Sequence, residues 1–274
     1  MKIVKPKSLE EFLSLFYDLY DTPQVFKYYR GQADYSWDIT PGLARNKGIK
    51  NNEDLFRIEI KLIENFKNKI AYNKFDYLVP LGECSYDKSW IYLMAAQHYG
   101  LSTRLMDFTC NKYVALEFAV ADLNHLNKDG VLIIYNDIES IQEDVDSSIL
   151  KNPVSQSHHT FFFQGISFRN SKNNECNLSE SRKIIQCSKF LYRDSHNLFK
   201  CLTLDELHRN HLTIVHIPKN LKLEIINYFV KKNSLVFDLY RGRNILDFYA
   251  KILNNEFQNI NDSRIDDYLK SDNI

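Results

Sequence analysis

Residues Gln97 to Ala119 read QHYGLSTRLMDFTCNKYVALEFA, and the way this run divides decides the fold. Gly100 closes an apolar-periodic segment that begins near Ser85 and runs to Tyr99, and it suits the glycine that ends a helix. Leu101 to Asp107 is short and mixed, which predicts a strand. Asn111 to Leu126 returns to helical spacing, with Val114, Ala115, Phe118 and Ala119 facing inward. Between the two helices stand His98, Ser102, Thr103, Arg104, Asp107 and Thr109, beside Leu101, Leu105, Met106 and Phe108. Charged groups held among such neighbours lose water, a cost of several kcal/mol each unless they are paired. The density of polar groups points to a ligand site or an ion-pair network.

Working outward, Ser8 and Glu11 form a capping box ahead of Leu9, Phe12, Leu13, Phe16 and Leu19, a helix that ends before Pro23. Val25 to Gly31 is aromatic and β-branched, a short strand, and Ala33 to Gly48 is a loop with a Pro41-Gly42 turn. Asn52 to Tyr72 carries an apolar stripe at helical spacing. Gly130–Tyr135, Phe161–Phe163, Lys183–Tyr192 and Leu212–Ile217 read as strands, and Leu221–Lys232 and Ile245–Phe257 as helices. Arg169 to Ser179 is a polar loop. Helices and strands do not alternate regularly, so the expected class is α+β, a mixed central sheet flanked by helices. No repeat or linker divides the chain. Residues 1–258 are expected to form one domain, and 259–274 a polar C-terminal tail.

Composition excludes several classes. With 274 residues, 44% apolar and 14% aromatic, a sizeable core is expected. Thirty-five basic residues balance 35 acidic ones, against a general nucleic-acid binder that works by phosphate neutralisation. The five cysteines include no CxxC pair, which argues against a disulfide framework or a zinc knuckle and for a reducing cytoplasm. No apolar run of membrane-spanning or signal-peptide length occurs.

Four separated segments resemble the FRG domain, a bacterial family named for an aromatic-Arg-Gly signature. They are Tyr29-Arg30-Gly31-Gln32 with Trp37 and Pro41-Gly42; the Gln97–Ala119 run; Arg182 with Gln186 and Phe190; and Ile217-Pro218 before a helix. The resemblance runs from about Leu9 to Leu253. A more distant resemblance is to ADP-ribosyltransferases, in which an Arg or His on a first strand is followed by a Ser-Thr strand, an Ala-x-x-Phe-Ala helix and a late strand with a catalytic Glu. Arg30, Ser102-Thr103 and Ala115–Ala119 match the first three. The late strand offers Arg182 or Gln186 where the Glu belongs, with Glu180 just outside it, and an Arg there would repel the developing ribosyl cation.

The resemblance implies an ADP-ribosyltransferase-like core and a pocket for a nucleotide such as NAD. Arg30, Thr103, Glu180 and Arg182 are the catalytic candidates. Arg30, Gly31, His98, Ser102, Thr103 and Gln186 are the binding candidates, and no metal is expected. The implied activity is ADP-ribose transfer or NAD cleavage by a toxin or phage-defence effector acting on a protein target or phage component. The alternatives are a non-catalytic sensor that uses the same pocket and a protein acting on nucleic acid.

Individual residues carry paired readings. Arg30 offers a planar fork to a phosphate while Gly31 lets a ligand approach the backbone, or Arg30 is a buried partner of Asp107. His98 orients a ribose hydroxyl or caps its helix. Strand alternation would turn Thr103 toward the pocket and leave Arg104 and Asp107 as a supporting ion pair. Arg182 and Gln186 share a strand face and suit an anion or contact neighbouring loops. His208, His211 and His216 lack zinc-ligand spacing to other donors and read as solvent-facing.

Overall fold

The computed structural model describes residues 1–18, 26–46, 48–73, 88–137, 153, 161–164, 188–232, 253–254, 257, 260 and 265–270. The strands are β1 (Lys2–Val4), β2 (Phe26–Gln32), β3 (Leu105–Thr109), β4 (Gly130–Asp137), β5 (Phe161–Gln164), β6 (Ser188–Tyr192) and β7 (Leu212–Ile217). They form one seven-stranded sheet in the order β1-β7-β4-β2-β3-β6-β5. Only the β1–β7 pairing is parallel, so the sheet is mixed, as expected for an α+β chain. The main helices are α1 (Leu9–Asp18), α2 (Asn52–Tyr72), α3 (Lys88–His98), α4 (Lys112–Val120), α5 (Lys219–Lys231) and α6 (Ile265–Lys270).

Local chemistry starts the central helices. The Asn51 side chain accepts from the Asp54 N–H at the head of α2, where Glu53 and Asp54 also face the positive end of the helix. Asn111 does the same for the Tyr113 N–H at the head of α4. Leu55, Ile58, Leu62, Ile63, Phe66 and Ile70 then form the buried stripe of α2.

The core explains where a site can open. On one sheet face, Leu132, Ile134, Val215 and Ile217 pack with Tyr29 under α1, α4 and α5. On the same face, Leu105, Phe190 and Tyr192 pack under α2 and α3. The opposite face buries Met106, Phe108, Val131, Ile133, Leu191 and Ile214. The seam between the first two clusters falls at the β2–β3 boundary. Strand β2 pairs with β4 along its whole length, from Phe26↔Asp137 to Gln32↔Val131. With β3 it shares a single pair, Tyr29↔Thr109. Beyond that pair the two strands part.

Several expectations need correction. Strand β3 begins at Leu105, so Thr103 and Arg104 precede it and strand alternation does not govern them. The α4 helix stops at Val120, and Asp122 starts a short 3-10 turn, Leu123–His125, by accepting from the Asn124 N–H at 3.0 Å. The exposed three-residue β1 was not foreseen, being too short to show a pattern. The polar tail is also in part structured. Ile260, Ile265 and Tyr268 join the cluster beneath α2, and Asp266 lies 3.6 Å from Arg57. These three and Leu269, apolar side chains in a polar stretch, hold this segment. Arg169–Ser179 and most of Ile245–Phe257 lie outside the described residues.

Candidate functional site

Where β2 and β3 part, a cleft of about 290 Å³ opens. Arg30 enters from β2. Thr40, Pro41, Gly42 and Arg45 enter from the turn that follows it. Gln97 and His98 come from the end of α3, Gly100–Ser102 from the chain leading into β3, and Leu105–Asp107 from β3 itself. Gly42 packs on Ser102, so the turn lies close to the opposite wall.

Arg30 bridges the gap between the parting strands. Its Nη1 donates to the main-chain carbonyl of Asp107 at 2.6 Å, in place of a missing ladder bond. Its Nε is buried without a hydrogen-bond partner among the described residues. Loss of water pulls the guanidinium down to about 10; nearby Asp107 opposes this and Arg45 adds to it. Arg45 ends the 3-10 turn Gly42–Arg45 and donates from Nη2 to the Thr40 carbonyl at 3.4 Å. Burial lowers it too, again opposed by Asp107. Neither arginine forms an ion pair among the described residues.

The acidic side of the cleft is held by a relay. The Leu105 N–H donates to Thr103 Oγ1 at 3.1 Å. The Thr103 hydroxyl donates to Gln97 Oε1 at 2.7 Å. That fixes the Gln97 amide, whose Nε2 donates to Asp107 Oδ2 at 2.6 Å. Thr103 is fully buried and does not line the cleft. Its place in the cleft wall is taken by Gln97, and Thr103 orients Gln97 from behind.

Arg104 is structural, but with a different partner from the one expected. It pairs with Glu59 of α2, not Asp107: Nε donates to Glu59 Oε2 at 2.6 Å, its N–H to Oε1 at 2.8 Å, and Nη2 lies 2.5 Å from Oε2. Nη1 donates to the Tyr192 hydroxyl at 2.9 Å, which donates to the Pro153 carbonyl at 2.7 Å. Burial raises Tyr192 to about 12. This network ties α2 to β6 through the base of the β3 lead-in.

Ser102 and His98 line the cleft. The Ser102 N–H donates to Asn254 Oδ1 at 2.8 Å, and Asn254 donates back to the Gly100 carbonyl, which fastens this wall. Gly31 has another role than the one expected. A Cβ on it would stand 1.8 Å from the Ala115 carbonyl oxygen, so it is α4, and not a ligand, that approaches this backbone. Glu180, Arg182 and Gln186 lie outside the described residues. His208 is buried, not solvent-facing: its Nδ1 lies 2.9 Å from the Tyr135 hydroxyl, and burial lowers it to about 4. His216 sits 2.7 Å from Asp129. Among the described residues no cluster of three His, Cys, Asp or Glu side chains is placed to hold a metal.

Arg45 is the cleft-lining cation that the sequence reading missed. Its signal is the segment Pro41-Gly42-Leu43-Ala44-Arg45, a turn anchored by buried Leu43 beside the cleft that Arg45 lines.

The family model described as FRG domain matches residues 27–128. That is narrower than the resemblance read from Leu9 to Leu253, and the segments around Arg182 and Ile217-Pro218 lie beyond it. No curated protein and no solved structure matches the chain. No helix among the described residues is long and apolar enough to cross a membrane. The matched span runs from β2 through α4 and holds every side chain of the cleft wall named above except the Asn254 fastening. The likeness of this chain to the FRG domain family lies in residues 27–128.

Proposed function

We propose that the β2–β3 cleft binds the phosphate-bearing part of a nucleotide, with NAD as the leading ligand. The observation that carries this reading is the pair of guanidinia, Arg30 and Arg45, which have no ion-pair partner among the described residues and face a cleft whose one lining carboxylate among those residues, Asp107, is engaged by Gln97. Two arginines against one carboxylate leave an excess positive charge, and a guanidinium fork matches phosphate geometry. The orphaned Arg30 Nε supplies a donor that an anion would satisfy. The volume, about 290 Å³, lies at the small end for ligand pockets. It suits a diphosphate with its adjoining sugar, the rest of a dinucleotide reaching outward.

Binding is the part of this function that the cleft supports directly. ADP-ribose transfer or NAD cleavage would need a carboxylate to stabilise the ribosyl cation. Glu180 is the candidate from sequence, and nicotinamide release by the wild type against Glu180→Gln tests it. For binding, calorimetry with NAD and ADP-ribose at millimolar ligand is expected to show heat that Arg30→Ala abolishes. No heat with either ligand overturns the proposal.

A further inference from the structure

Resting on the nucleotide reading, we infer that Asp107 makes the cleft selective for a phosphorylated ligand that carries a free sugar hydroxyl, so that a ribonucleotide is taken over its deoxygenated analogue.

An anion site that held phosphate alone would gain nothing from a carboxylate beside its arginines, because Asp107 repels the same charge that Arg30 and Arg45 attract. Yet the fold keeps this carboxylate exposed in the cleft and out of ion pairing with either guanidinium. Arg30 bonds the main-chain carbonyl of Asp107 instead of its side chain. The carboxylate orientation is set by the buried relay Leu105 N–H, Thr103 Oγ1, Gln97 amide, Asp107 Oδ2. Only one of the two oxygens is used. Oδ1 has no partner among the described residues. An ionised carboxylate is acceptor-only, so this free oxygen seeks a donor. A ligand that satisfies the whole cleft therefore brings an anion for the arginines and a neutral donor for Asp107. A sugar hydroxyl next to a phosphate meets both demands. A carboxylate that accepts from a ribose hydroxyl favours the ligand that carries it, because the analogue lacking the hydroxyl gives up a charge-assisted hydrogen bond.

The test is calorimetric titration of the full chain with ADP and with 2′,3′-dideoxy-ADP, in wild type, Asp107→Asn and Asp107→Ala. Wild type is expected to bind ADP at least about tenfold more tightly than the dideoxy analogue. Asp107→Ala is expected to bind both alike. Asp107→Asn, which keeps the shape and can still contact Gln97, is expected to lose most of the preference. Equal wild-type affinities, or a preference that survives Asp107→Ala, overturn this inference and leave the nucleotide reading standing. Failure of wild type to bind either ligand overturns both. Asp107 is exposed, so these variants do not disturb a core; matching unfolding midpoints confirm that each is folded.

Discussion

Gly31 and Ala115 touch backbone to backbone: a methyl group on Gly31 would sit 1.8 Å from the Ala115 carbonyl oxygen and 2.7 Å from the Ala119 nitrogen. The glycine of the Tyr-Arg-Gly signature and the small residues of the Ala-Leu-Glu-Phe-Ala run are thus two halves of one contact. That contact lays α4 flat on β2 and sends the neighbouring Arg30 to the opposite face. Gly130 repeats the device one strand over, where a Cβ would meet the Ala119 carbonyl at 2.4 Å.

Gly31→Ala is therefore expected to cost about 3 kcal/mol or more, since rigid backbone atoms on both sides cannot yield as side chains do. Urea unfolding reads this directly. A loss below about 1 kcal/mol would show that α4 can lift away from β2.

Glu59→Ala should destabilise the chain by about 3–5 kcal/mol, because it strands the fully buried Arg104. Glu59→Gln should be milder, as it retains an acceptor for the Arg104 N–H. Chemical denaturation of the two variants gives the comparison, and equal midpoints with wild type would contradict the buried pairing.

Arg45→Ala removes a cleft cation without touching either large cluster. ADP affinity is expected to fall about 10- to 100-fold, as for the loss of a charge-assisted hydrogen bond, with the thermal midpoint little changed. Unchanged affinity would remove Arg45 from the site.

Anion binding requires Arg30 protonated, and its guanidinium sits at about 10. Affinity is present below that value and lost above it. ADP binding should therefore hold from pH 7 to 9 and weaken as pH rises through about 10. An ordinary arginine would stay charged well beyond that range. Titrations across pH 7 to 10.5 distinguish the two behaviours.

His208 supplies an acid limit. Its folded value of about 4 lies below the ordinary 6.5, chiefly through burial and then through Arg193. The unfolded chain takes up the proton first, so stability is lost as pH falls from about 6.5 toward 4. His208→Gln should flatten this slope in urea unfolding midpoints measured at pH 7 and pH 4.5. A slope identical to wild type would show that another group titrates.

The sequence carried the architecture further than the roles. Helix α2 announced itself through its stripe and its Asn51 cap, and Gly130–Tyr135 through a β-branched run buried on both faces. The cleft residues Arg30, His98 and Ser102 were legible from the signature and from their crowding before β3. Three readings failed, two of them for reasons of distance. Arg104 found Glu59, 45 residues away, and nothing in local spacing reports such a partner. Thr103 was placed by strand alternation, but it lies in the lead-in, where alternation has no force. Gly31 was read as room for a ligand because the helix that fills that room arrives 84 residues later. The C-terminal helix hid in polar composition because a few side chains, Ile265, Tyr268 and Leu269, make its apolar contact.

The single Tyr29↔Thr109 pair has a consequence for how the FRG domain can exist as a piece. Strand β2 draws its continuous ladder from β4, and β3 draws its ladder from β6, and both of those partners lie past residue 128. A fragment cut to residues 27–128 would keep the signature residues but expose a bare edge on each strand, and such edges invite pairing between chains. The boundary of recognisable sequence is therefore not a boundary of folding: residues 27–128 hold the cleft wall, and the strands that complete it come from elsewhere in the chain.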